Sequence, residues 1–134
     1  MTAFVDTNIL VRHLTGDPPE MAARATAYLA SGADLLLADL VVAETIYVLE
    51  SFSKVERTQI AEAMRSLVAF ASITTVDPAL LLRAIEVYEM DRLDFAEAYL
   101  VANAETTGVN QVASFDQSID RVTTVERIEP PPLG

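Results

Sequence analysis

The chain has 134 residues, of which 51% are hydrophobic and 22% are charged, so we expect one globular domain with a hydrophobic core rather than a disordered chain. The absence of cysteine excludes disulfides, zinc–thiolate sites and cysteine nucleophiles, and it fits a reducing cytoplasm. The formal net charge of −11 argues against nucleic-acid binding through a basic surface, unless part of the acidic excess is a metal site whose cations reverse the local field.

Short apolar runs alternate along the chain with segments of helical periodicity. The first run ends at Asp6, and Thr7 and Asn8 lead from it into a helix. In chain order, strands are expected up to Asp6 and at 35–38, 73–76, 110–114 and 123–128. Helices are expected between them, at 9–16, 17–32, 39–50, 53–70, 77–91 and 94–108. The expected start signals of the later helices are Asp17, Asp39, Asp77 and Asp94.

The alternation of strands and helices predicts the fold class. We expect an α/β protein, a three-layer α/β/α sandwich around a central, mostly parallel sheet of four to five strands. Residues 1–128 would form this domain, and the proline-rich segment 129–134 would be a loose tail.

The chain lacks the residues that several classes of protein need. Asp39 and Glu44 interrupt the most apolar region, so no membrane span is expected, and Asp6 lies where a signal peptide would be apolar. Lys54 is the only lysine and follows no glycine-rich loop, which excludes a Walker A motif. His13 is the only histidine and lacks a serine nucleophile motif. Carboxylates that bind Mg²⁺ or Mn²⁺ therefore remain as the main source of chemistry.

Five acidic residues are candidates for such a site. Asp6 and Asp116 each follow an apolar strand, so in one parallel sheet both would lie at the same edge. Glu44 lies in an otherwise apolar helix, where an unpaired charge is costly to bury. Asp94 and Glu97 are three residues apart and share the first turn of a helix.

Each acid also has a structural interpretation. Asp6 and Asp116 can be helix caps, and taken singly this is the favoured interpretation. Asp94 and Glu97 also fit a capping box. Glu44 can extend into solvent or pair with an arginine.

The ordered set of motifs resembles the PIN-domain ribonucleases, in particular the VapC-type toxins of VapBC toxin–antitoxin pairs. The set consists of an apolar strand followed by Asp-Thr-Asn at Asp6, Ala-Glu-Thr at Glu44, Asp-Phe-Ala-Glu-Ala from Asp94, and Ser-Phe-Asp ending at Asp116. The resemblance extends from Phe4 to about residue 125. It implies that these acids, with Glu97, hold one or two Mg²⁺ or Mn²⁺ ions.

The resemblance also assigns supporting roles. Thr7, Asn8 and Ser114 would orient carboxylates or water, and Arg12 would contact the RNA backbone. The family usually has Asp where this chain has Glu97, often with another Asp three residues earlier, as at Asp94, so either residue could touch the metal.

The reaction implied by the resemblance is hydrolysis of RNA to 5′-phosphate and 3′-hydroxyl ends. The implied partners are a second copy of the chain, in a homodimer, and an antitoxin whose C-terminal segment covers the site. An antitoxin arginine inserted among the carboxylates would compete with the metal.

Three alternatives stay open at this stage. A phosphotransfer receiver needs a lysine at a strand end, but Lys54 falls at a helix start. An aspartate-nucleophile phosphatase needs a second Asp at the position of Asn8. Both are disfavoured. A catalytically silent binding module, in which the acids bind a cation or a basic partner, is compatible with Glu97.

Overall fold

The computed structural model describes residues 2–134, and the chain divides into an N-terminal unit that ends at Pro78 and a C-terminal unit, Ala79–Gly134. The described elements of the N-terminal unit are, in order, β1 (Thr2–Phe4), α1 (Thr7–Thr15), α2 (Pro19–Leu29), β2 (Asp34–Leu36), α3 (Asp39–Ser51), α4 (Arg57–Ala69) and β3 (Ile73–Thr74). Next comes α5 (Pro78–Met90), whose first residue is the last of the N-terminal unit. The C-terminal unit continues with α6 (Phe95–Thr107), β4 (Gln111–Ala113), a 3₁₀ helix (Gln117–Arg121) and β5 (Glu126–Ile128).

The N-terminal unit contains a parallel sheet in the order β1–β2–β3. Phe4, Leu36 and Thr74 are in register across it. The ladder continues one residue past each strand, where Val5 N donates to Leu36 O at 3.0 Å and Leu37 N donates to Thr74 O at 2.9 Å. The carboxyl ends of β1 and β2 therefore lie side by side, and α1 and α3 begin from that edge.

Helical spacing of apolar residues builds the core of this unit. In α3, Val42, Ile46 and Leu49 recur every three to four residues and are all buried. α1 packs against both α2 and α3, and its Leu10 is completely buried. This packing fixes α1 and α3 relative to each other, which positions any side chain that projects from their exposed faces.

The C-terminal unit contains a second sheet, in which β4 and β5 are parallel and Gln111 pairs with Glu126. A bidentate ion pair joins α5 to α6, because Arg83 Nε and Nη2 donate to the two carboxylate oxygens of Glu105 at 2.8 and 2.9 Å. Thr124 Oγ1 also donates to Glu105. These contacts lower the pKa of Glu105, with the hydrogen bonds from Arg83 as the main cause.

The strand arrangement corrects part of the sequence prediction. The parallel α/β organisation is confirmed, but the expected single sheet of four to five strands is wrong: within residues 2–134 the sheets have three and two strands. Asp6 and Asp116 consequently follow strands of different sheets. The apolar runs located the strands, but pairing depends on which backbone groups meet, and a strand of two or three residues carries little information about its partner.

Two helix starts also differ from the prediction. Asp39 is the first residue of α3 and Ala38 is the cap, and Pro18 rather than Asp17 caps α2. Neither cap makes a side-chain hydrogen bond, so neither helix has the expected carboxylate at its cap position. The 3₁₀ helix that follows Asp116 was not predicted, because its five residues are too few to show a period.

None of the helices in the described part of the chain is both long and apolar enough to cross a membrane.

Candidate functional site

Asp6 stands at the junction of β1 and α1. Its backbone is extended, with φ −91° and ψ 157°, and its side chain accepts a hydrogen bond from Thr7 N at 2.7 Å. It is therefore the N-cap of α1, and the capping interpretation of this residue is confirmed. The side chain is exposed, and the cap uses Oδ1, which leaves Oδ2 outside this hydrogen bond.

Glu44 lies in the second turn of α3 and is exposed, so the expected cost of burying its charge does not arise. Its Oε1 accepts a short hydrogen bond from Thr7 Oγ1. Thr7 itself is buried, with 7% of its surface exposed. We call Asp6, Thr7 and Glu44 the N-terminal cluster, in which one buried threonine fixes two exposed carboxylates through its backbone N–H and its hydroxyl.

The N-terminal cluster lines a cavity of about 460 Å³. Asn8 and Arg12, which the sequence also placed at the site, are on its wall, whereas Tyr47 was not predicted. Tyr47 follows Glu44 by three residues on α3, and this spacing on a helix could have indicated that the two share a face. The cavity is lined by Asp6, Thr7, Asn8, Val11, Arg12, Glu44, Tyr47 and Val48.

A second group of acids lies in the C-terminal unit. Asp94 is the N-cap of α6 and accepts from Glu97 N at 2.9 Å. Asp116 is the N-cap of the 3₁₀ helix and accepts from Ser118 N at 2.8 Å. Ser118 Oγ donates to Glu97 Oε2 at 2.9 Å, so this serine links the two helix starts. We call Asp94, Glu97, Asp116 and Ser118 the C-terminal cluster.

Ser114 and Ser118 have supporting roles next to Asp116. Ser114 Oγ accepts from Asp116 N at 2.9 Å, which fixes the backbone where β4 ends. The sequence predicted Ser114 but missed Ser118. The spacing Asp-x-Ser was the available signal, because an Asp caps the backbone N–H two residues after it.

The carboxyl groups of Glu97 and Asp116 are coupled. The pKa of Glu97 is raised to about 7, first because burial disfavours its charge and second because it donates a hydrogen bond to Asp116, with the charges of Asp94 and Asp116 adding to both. The pKa of Asp116 is lowered to about 2, mainly by the hydrogen bond from Glu97 and by those from Ser118. The shifts are opposite, as expected for two coupled carboxylates that hold one proton.

These shifts predict how the stability of the metal-free protein depends on pH. The pKa of Glu97 in the fold, about 7, exceeds its ordinary value of 4.5, so its contribution is full below about pH 4.5 and is lost as the pH rises to about 7. The contribution of Asp116 is present above 3.8 and is lost as the pH falls toward about 2. We expect the melting temperature in EDTA to decline between about pH 5 and about pH 7.

The matched variant for this prediction is Glu97→Gln, which cannot ionise. It should flatten the decline relative to the wild-type protein, and the difference between the two curves removes the effect of His13, whose pKa is lowered by burial. Equal pH profiles for the two proteins would show that Glu97 does not hold this proton.

The donor set of both clusters suits a hard divalent cation. Carboxylate oxygens are the preferred protein ligands of Mg²⁺, and the opposite pKa shifts of Glu97 and Asp116 indicate that these two carboxyl groups interact. Across residues 2–134, however, no group of three or more His, Cys, Asp or Glu side chains has the arrangement of a metal site. Mg²⁺ usually binds one or two carboxylates and completes its shell with water and substrate phosphate, so it does not require three acids at one site.

Comparison with known protein families identifies the domain to which the chain is similar. The family model for the PIN domain matches residues 3–125, which is most of the chain and includes all five acids. No curated protein matches the chain. PIN domains are generally nucleases and typically use divalent metal ions. With its parallel α/β fold and its acids at the starts of α1, α6 and the 3₁₀ helix, the chain belongs to the PIN domain family.

Proposed function

We propose that this protein is an endoribonuclease that depends on Mg²⁺ or Mn²⁺, and that it is the toxin of a toxin–antitoxin pair of the VapBC type. The observation that carries the proposal is the N-terminal cluster, in which two exposed carboxylates from separate helices are held by one buried threonine at the wall of a cavity. Helix capping accounts for Asp6, but it gives no reason for the exposed carboxylate of Glu44 to meet the same threonine.

The proposal assigns the metal ligands to Asp6, Glu44, Glu97 and Asp116. We assign Glu97 to the metal because it is coupled to Asp116, and we assign Asp94 a positioning role because its side chain accepts a hydrogen bond from Glu97 N. One or two bound cations supply the Lewis acidity for phosphodiester hydrolysis. Cleavage to 5′-phosphate and 3′-hydroxyl ends follows from the family resemblance.

The side chains of the chain itself would hold and orient the reacting groups. Thr7 keeps Asp6 and Glu44 in fixed orientations, so that neither has to reorganise when a substrate arrives. Asn8 lines the same cavity and can donate to a phosphate oxygen. Ser114 and Ser118 fix the backbone and the carboxylate of Asp116.

Thr7→Val tests the orienting role. Valine keeps the shape of the buried side chain and the backbone N–H, but it removes the hydroxyl that holds Glu44. We expect cleavage to fall about 10- to 100-fold, as is typical when a partner of a metal ligand is lost, with kcat affected more than KM. Thr7→Ser, which restores the hydroxyl, should recover most of the activity. Equal activity of the valine variant and the wild type would exclude this role.

The central experiment uses purified protein free of any antitoxin. We expect a set of structured RNAs to be cut after addition of Mn²⁺ or Mg²⁺, and EDTA to abolish the cutting. Glu44→Gln should be inactive, whereas Glu62→Gln, an exposed charge change on α4, should cut normally. The nuclease assignment fails if no RNA in a broad set is cut, or if cutting persists in EDTA.

A catalytically silent PIN domain is the second candidate. It is favoured by the absence, within residues 2–134, of a complete group of three metal-binding side chains. In that case the clusters would bind a cation or a basic partner without turnover. Mn²⁺ should then raise the melting temperature, because a ligand that binds only the native protein stabilises it, while RNA stays intact.

The toxin assignment implies two protein partners, a second copy of the chain and an antitoxin. The protein would form a homodimer, and a cognate antitoxin would place a basic segment over the acids, where an arginine competes with the metal for the same charge. Size measurement of the purified chain tests the dimer, and inhibition of cleavage by the co-expressed antitoxin tests the pair.

A further inference from the structure

A second groove lies between α1 and α2. It has a volume of about 440 Å³, similar to that of the cavity at the N-terminal cluster, and Met21 and Tyr28 on its wall are large apolar side chains left 41% and 46% exposed. The groove is lined by Asn8, Ile9, Arg12, Met21, Arg24, Ala25 and Tyr28.

The charge of this groove is opposite to that of the molecule. The chain has 20 acidic and 9 basic residues, yet two arginines and no acid line the groove. Arg24 is 3.7 Å from Glu20, but both side chains are about three-quarters exposed, so this ion pair is weak and can be exchanged for another anion. Arg12 has no acidic partner among the described residues.

The groove adjoins the cavity of the N-terminal cluster. Asn8 and Arg12, one turn apart on α1, line both. A chain bound in the groove would therefore reach Asp6 and Glu44 by passing Arg12. An extended polyanion with flat rings fits this combination, because guanidinium groups bind phosphates and an exposed tyrosine ring stacks on bases.

We propose that the α1–α2 groove binds a single-stranded segment of the RNA substrate adjacent to the cleaved bond, with Arg12 and Arg24 on phosphates and Tyr28 stacked on a base. This inference rests on the proposed nuclease function and adds to it the surface that positions the substrate. It also explains how an acidic protein holds a polyanion, since binding is confined to one basic groove.

The groove is tested by measuring RNA binding with a variant that does not cleave RNA, so that binding is separated from catalysis. The parent is Asp6→Asn in EDTA, and the probe is a fluorescent single-stranded RNA of mixed sequence, about 16 nucleotides long.

Adding Arg24→Gln should weaken binding about fivefold and lower the slope of log K against log salt by about 0.7. Tyr28→Ala should weaken binding about fivefold or more, and Tyr28→Phe, which keeps the ring, should bind like the parent. Lys54→Gln removes the same charge from an exposed position outside both cavities and should change neither quantity.

The outcomes separate this proposal from the nuclease assignment. RNA binding that depends on Arg24, in a protein that never cuts RNA, supports the groove and rejects the nuclease. Normal cutting of RNA with Arg24→Gln equal to Lys54→Gln rejects the groove and keeps the nuclease. A parent that binds no RNA at low salt, or that binds a polyglutamate peptide through Arg24 while RNA binding is unaffected, also overturns the proposal.

Discussion

Asp6→Asn is expected to lower the rate of RNA cleavage at least about 10²-fold, because it removes a negative oxygen from the proposed metal site. The fold should stay intact. Asparagine caps a helix about as well as aspartate, so the hydrogen bond to Thr7 N and the start of α1 are kept. Initial rates of cleavage at saturating Mn²⁺, with a thermal melt of each protein, measure both effects.

The control for this variant is Asp34→Asn, which makes the same change at an exposed position in the N-terminal unit and should leave cleavage unchanged. A fully active Asp6→Asn protein would remove Asp6 from the reaction and leave it as a helix cap. Loss of activity together with a collapse of the melting temperature would instead indicate a structural role.

Glu97→Gln is expected to have the second largest effect, a loss of Mn²⁺ affinity of at least about tenfold together with a loss of its pH dependence. In the wild-type protein a bound cation must displace the proton of Glu97, whose pKa is raised to about 7 by burial and by Asp116. The apparent affinity should therefore rise about tenfold per pH unit below that pKa and level off above it. Titration calorimetry with Mn²⁺ at several pH values measures this.

Asp94→Asn separates the two acids whose roles the sequence left open. Asparagine preserves the cap on Glu97 N, so affinity should change little and its pH dependence should remain. Glu97→Asp, which restores the charge on a shorter side chain, should recover part of the affinity. The assignment of Glu97 is contradicted if Asp94→Asn abolishes binding and Glu97→Gln does not.

Local signals in the sequence predicted most elements and several caps. An apolar run followed by Asp6 indicated both β1 and the start of α1, and Asp94 with Gly108 indicated both ends of α6. These signals depend on interactions between residues a few positions apart. The folded protein contains the same local interactions, so the sequence alone can predict them. The prediction that Asp39 caps α3 was wrong because it used residue type alone, whereas α3 starts without a side-chain cap.

Contacts between distant segments could not be predicted in this way. The hydrogen bond from Thr7 to Glu44 joins residues 37 positions apart, and that from Ser118 to Glu97 joins residues 21 apart. Nothing in either local sequence specifies the other partner. The coupling of Glu97 and Asp116 depends on the same long-range approach.

The chemical ends of the cleaved RNA test the central claim most directly. If the acids of both clusters support metal-dependent hydrolysis by water, mass spectrometry of the products should find 5′-phosphate and 3′-hydroxyl ends that form only with Mn²⁺ or Mg²⁺ and are absent with Asp6→Asn. Products that end in 2′,3′-cyclic phosphate, formed without metal and unchanged in the variant, would contradict the claim, because the ribose 2′-hydroxyl rather than water would then be the nucleophile.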